Sequence, residues 1–258
     1  VEAYRQGWLN ETALSAPRSP MCRSVLVESA FAAADVPVYD STLYEGGASL
    51  STADNILRVG RELGLCSDDA DTNALVTRGD AAIILHVVLT QSFRIEEPPV
   101  PVTLVNAAGV NINDYLLALR QVPEPVLAAF NAAGWTYRID FDYMGGLSKK
   151  LNMSCIGATN YSQKTIYLSE ASATLHEFGH FLDWMLGFPA EYEQLFRAEA
   201  SAAPLRNYAK TDSREYFADC FAYWVKYAEN ANAISLLQEC APMTYRYMED
   251  LMRIANRL

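Results

Sequence analysis

The segment His176-Glu177-Phe178-Gly179-His180 restricts this chain more than any other. Two histidines four apart lie on one face of a helix, about one turn from each other. Leu175, Phe178, Phe181, Leu182 and Met185 make the same stretch apolar enough to be a buried helix. Buried imidazoles need partners, and one divalent ion would satisfy both through ligand bonds of about 2.0–2.1 Å. Two core histidines bonded to backbone or carboxylate would satisfy the same spacing. The chain has only three histidines. The third, His86, lies in an apolar helical stretch of the first region and has no role in metal binding on this reading.

Glu177 sits about 100° around the helix from His176, where it reaches a water on the metal from the side and acts as a base, not a ligand. A catalytic zinc needs a third protein ligand and an open position. The segment Ser213-Arg214-Glu215-Tyr216-Phe217-Ala218-Asp219 supplies the candidates. Glu215 and Asp219 are four apart on a predicted helix, so Glu215 can bind metal while Asp219 accepts the spare N–H of a ligand histidine. Asp212 and Glu215 also fit a capping box, but capping gives no role to Asp219 among Phe217, Ala218, Phe221 and Ala222. Asp183, three residues after His180, lies on the ligand-bearing side. It either orients a ligand or ties the helix to the core.

The chain is 258 residues long, enough for one large domain or two modest ones. Glu96-Glu97-Pro98-Pro99-Val100-Pro101-Val102 is the expected joint, because three prolines in four residues remove amide donors and stiffen the backbone. The expected organisation is a mostly helical domain over 1–95, a linker over 96–102 and a larger domain over 103–258. In the latter, 113–119 and 125–132 read as helices, 135–141 and 164–168 as strands, and the chain from Ala190 onward as helical. The fold class is α+β, a small sheet beside a helical half. No apolar run is long enough to span a bilayer. A net charge of −11 argues against a nucleic-acid partner. Five scattered cysteines do not make a disulfide framework, and a single Cys22–Cys66 bridge and small buried thiols are equally compatible with the sequence.

The first region carries a weak internal echo. Gly7-Trp8-Leu9 and a helix over 25–33 are answered by Leu63-Gly64-Leu65 and a helix over 81–89. Thr77-Arg78-Gly79-Asp80 and Met21-Cys22-Arg23-Ser24 resemble the signature of surface-layer-homology modules. That resemblance implies binding of a cell-wall polymer through the motif arginine. A helical companion domain accounts for the same residues.

The later motifs resemble the lethal-factor-like zinc peptidases, a family that includes the Pro-Pro endopeptidases of Gram-positive bacteria. The likeness rests on His176-Glu177-Phe178-Gly179-His180-Phe181-Leu182-Asp183, and on Tyr208 followed by Glu215-Tyr216-Phe217-Ala218-Asp219. Val122-Pro123, Gly134-Trp135 and Ile166-Tyr167-Leu168-Ser169 look like the family's lead-in. Asp219 departs from the Glu more usual there and shortens the reach to the histidine. The resemblance implies a zincin-type, gluzincin-like endopeptidase, secreted or at the cell surface, with zinc as cofactor and a peptide or protein as substrate. It also implies that Tyr208 hydrogen-bonds the oxyanion, that an edge strand holds extended peptide, and that proline-flanked bonds are permitted. The rival reading is a non-catalytic wall-binding surface protein with a structural zinc, which would need neither Glu177 nor Tyr208.

Overall fold

In the computed structural model the proline-rich joint carries neither helix nor strand, as ring-locked residues without amide donors require. The chain divides there into two units, Val1–Pro99 and Val100–Leu258. The structure describes Arg5 and residues 18–67, 71–93 and 95–255. The Gly7-Trp8-Leu9 half of the internal echo lies outside them.

The first unit contains α1 (Arg23–Ala33), α2 (Thr52–Glu62) and α3 (Arg78–Thr90), packed around Val27, Phe31, Leu57, Leu65 and Ile84. Helix α3 starts earlier than the apolar pattern suggests because Thr77 and Asp80 form a reciprocal capping box. The Thr77-Arg78-Gly79-Asp80 motif is thus a helix start, with Arg23 pairing to Asp80 at 3.4 Å.

The second unit is α+β. Its sheet runs β1 (Leu104–Asn106), β2 (Thr136–Ile139), β4 (Thr165–Leu168) and β3 (Gly157–Asn160) in spatial order. β1, β2 and β4 are parallel, while β3 lies antiparallel to β4 at the edge. Helices α4 (Asn113–Leu119) and α5 (Glu124–Ala132) connect β1 to β2, and α6 (Phe141–Leu151) connects β2 to β3. The strand expected over 135–141 stops at Ile139. Asp140 caps α6 through a 2.9 Å bond from the Tyr143 amide, so Phe141 opens a helix instead. β4 is buried at every position, as a strand paired on both sides should be.

The motif helix, α7 (Thr174–Met185), rests on this sheet, with Thr174 and Tyr137 sharing a 2.7 Å hydrogen bond. Phe178 and Phe181 on its buried side meet Phe130 at ring separations of 4.9 and 5.1 Å, and Trp135 lies 5.2 Å from Phe181. Such pairs contribute about 1 kcal/mol each beyond the area they bury. Helices α8 (Ala190–Glu199), α9 (Ser213–Tyr227), α10 (Ala231–Cys240) and α11 (Pro242–Ala255) complete the unit. Gly179 of α7 faces Ala218 of α9, and an added Cβ would sit 2.6 Å from Ala218 Cα.

Buried Glu199, at the end of α8, accepts from the Met243 and Thr244 amides at 2.9 and 2.8 Å and so caps α11 from a distant part of the chain. Glu199→Ala leaves both amides without an acceptor, and we expect it to cost about 3 kcal/mol, read from the urea midpoint. None of the five cysteines is disulfide-bonded, so Cys22 and Cys66 are not paired. Among the described residues no helix is long and apolar enough to cross a membrane.

Candidate active site

Three ligand-type atoms from two helices converge beside the sheet. His176 Nε2 lies 3.1 Å from His180 Nε2, and Glu215 Oε2 lies 3.1 Å from the first and 3.5 Å from the second. Both histidines come from α7, as the i, i+4 spacing dictates. Glu215 comes from the first turn of α9, whose N-cap Asp212 accepts from the Arg214 and Glu215 amides. Asp212 therefore caps the helix, yet the Glu215 side chain turns away to the imidazoles instead of closing a capping box.

The triangle suits a tetrahedral cation. Bonds of about 2.0–2.1 Å at tetrahedral angles separate ligand atoms by about 3.3–3.4 Å, between the observed 3.1 and 3.5 Å. Glu215 Oε2 is buried without a hydrogen-bond partner, although it lies at ion-pair distance from both imidazoles. His180 Nδ1 is likewise buried and unpartnered. A cation held by His176, His180 and Glu215 would satisfy the carboxylate oxygen that the protein leaves alone.

Asp219, one turn beyond Glu215, reaches His176 Nδ1 at 2.6 Å despite its short side chain. A carboxylate can only accept, so Nδ1 carries a proton and Nε2 is the nitrogen that a metal would take. Arg206 grips the same carboxylate with two bonds, Nε to Oδ2 at 2.6 Å and Nη2 to Oδ1 at 2.8 Å. Burial raises the carboxyl of Asp219, but its bonds to His176 and Arg206 outweigh that and hold it below its ordinary value. Burial would likewise lower His176, yet Asp219 and Glu215 together carry it up to about 9. Nothing in the sequence pattern marks Arg206, which sits on a loop and pairs with a residue thirteen positions away.

Asp183 is 3% exposed and burial pushes its carboxyl up to about 6, but it does not orient His180, whose Nδ1 has no partner. Tyr208 occupies a short 3-10 turn over Asn207–Lys210, 42% exposed, with its hydroxyl donating to Glu215 Oε1 at 3.3 Å. Burial and the Glu215 carboxylate push its hydroxyl up to about 12. Glu177 is 4% exposed and contributes no atom to the triangle. Its carboxylate lies against β3. A cleft of about 610 Å³ is lined by Gly157, His176, Glu177, Tyr208 and Tyr223 among others. A cavity of about 550 Å³ in the first unit, beside Tyr39, Tyr44 and Arg58, gathers no such ligand set among the described residues.

Residues 139–251 match the family described as anthrax toxin lethal factor, N- and C-terminal domain. That stretch lies wholly within the second unit and is what this chain shares with the lethal-factor family. The matched stretch includes His176, Glu177, His180, Tyr208, Glu215 and Asp219. Among solved structures the chain is similar to the Pro-Pro endopeptidase from Paenibacillus alvei, with a TM-score of 0.45 and 19% identity, covering 57% of this chain and 96% of that one. No curated protein matches the chain. None of these comparisons supports the surface-layer resemblance of the first region or the wall-polymer partner expected from it.

Proposed function

We propose that the lethal-factor-like unit is a zinc-dependent endopeptidase. The observation that carries this reading is the triangle of His176, His180 and Glu215, with an unpartnered carboxylate oxygen at one corner and Glu177 beside it. Zinc held there would supply Lewis-acid polarisation of a water and of the scissile carbonyl. Glu177, next to the ligands but not one of them, takes the proton of the attacking water and returns it to the departing amine. The Tyr208 hydroxyl, half out in solvent and bonded at 3.3 Å to Glu215, turns from that carboxylate to donate to the oxyanion. Asp219 and Arg206 keep the His176 ring oriented through the cycle. The outer edge of β3 pairs with extended peptide by strand addition.

The substrate is a peptide or protein outside the cell, and bonds next to proline are the first to test. The assay is cleavage of a combinatorial peptide library, with proline varied on both sides of the cut, by the full chain loaded with zinc. Chelation should abolish turnover and added zinc should restore it. Tyr208→Phe should lower kcat about a hundredfold with KM within about twofold. Cleavage that survives complete zinc removal, or a Tyr208→Phe variant with undiminished kcat, overturns the respective assignment.

A further inference from the structure

The general base is held by a strand that sequence patterning does not reveal. β3 reads Gly157-Ala158-Thr159-Asn160, and residues two apart in a strand share a face. Gly157 and Thr159 both meet Glu177. At Gly157 an added Cβ would lie 2.5 Å from Glu177 Oε1 and 2.8 Å from Ala173 Cβ, so only glycine leaves room for the carboxylate. Two residues on, Thr159 Oγ1 lies 2.7 Å from Glu177 Oε2, against 3.4 Å from the Glu177 carbonyl oxygen. A hydroxyl has one proton to give, and the carboxylate at 2.7 Å is the better acceptor.

We propose that Thr159 is a positioning residue for the general base. It ties down Oε2 and leaves Oε1 as the oxygen that receives the proton, while Gly157 provides the space in which that carboxylate lies. This deepens the zinc-peptidase reading and rests on it. A glutamate has several rotatable bonds, and proton transfer requires the base within hydrogen-bond reach of the water, so an unanchored carboxylate spends much of its time out of place. β3 pairs with β4 on one side and is the edge of the sheet. The strand that anchors the base is therefore the one whose free edge is offered to the peptide, and a single four-residue element sets base and substrate in register.

The test compares Thr159→Val, which keeps the shape and loses the hydroxyl, with Thr159→Ser, which keeps the hydroxyl. Thr159→Ala is read in the same way as the valine variant. In the zinc-loaded full chain, Thr159→Val should lower kcat about tenfold with KM and zinc content unchanged, and Thr159→Ser should stay within about twofold of wild type. A second readout needs no turnover. Crystal structures should show the Glu177 carboxylate in one rotamer against β3 in wild type and Thr159→Ser, and displaced or split in Thr159→Val. An undiminished kcat in the valine variant, a loss confined to KM, or a serine variant as impaired as the valine one overturns the proposal. Failure of the underlying peptidase reading looks different. The wild-type chain would then cleave nothing, and the rotamer comparison would still decide whether Thr159 holds Glu177.

Discussion

Glu177→Ala is expected to bind zinc as wild type does and to cleave peptides about a thousandfold more slowly. Both halves follow from where the residue sits. The three atoms that form the ligand triangle belong to His176, His180 and Glu215, so truncating Glu177 removes none of them. Alanine is also the best helix former, so α7 keeps its backbone. What disappears is the one carboxylate placed to take a proton without binding the ion, and a positioned base is worth about 10²–10⁴ in rate. Glu177→Gln, which preserves size and a contact to Thr159, should lose as much. Zinc content by atomic absorption and initial rates on a cleaved library peptide are the measurements. A variant that turns over normally would remove Glu177 from the mechanism, and one that loses zinc would make it a ligand.

The second large effect is expected at Gly179. By intrinsic preference Gly179→Ala should help a helix by about 1 kcal/mol. Here the new Cβ would sit 2.6, 2.8 and 3.1 Å from Cα, O and C of Ala218. These are backbone atoms inside another helix and cannot turn aside, so α7 and α9 must part by a sizeable fraction of an ångström. Overpacking of this kind costs about 3 kcal/mol or more, roughly 10 °C in melting temperature for a unit of this size. The parting also spreads His176 and His180 from Glu215, so zinc affinity should fall by more than tenfold. Thermal melts and a competitive zinc titration read the two losses. A variant as stable as wild type would mean that the helices are not in contact at this point.

The triangle of His176, His180 and Glu215 is legible in the sequence because each residue belongs to a helix with a strong local signature. The i, i+4 spacing of the histidines and of Glu215 and Asp219 fixes which side chains share a face, whatever the tertiary surroundings. The apolar runs likewise mark most of α4, α5 and α9. Residues whose role depends on a partner far along the chain leave no such mark. Arg206 sits on a loop and matters only because Asp219 comes within reach of it. Glu199 reads as an ordinary helix acid until α11 arrives to be capped. β1 has three residues, and β3 has the composition of a turn, so neither shows the alternation by which a strand is recognised. Helix α6 carries Gly145-Gly146 in its interior and follows a pattern that looks like more strand, and only the Asp140 cap reveals where one ends and the other begins.

The three atoms of the ligand triangle belong to two helices that are far apart along the chain. A divalent ion gripped by both would be a removable crosslink that closes the intervening loop, and its binding energy would add to the stability of the docked pair. With only one of the two helices in place the ligand set would be incomplete, so tight metal binding would follow the docking of α9 onto α7.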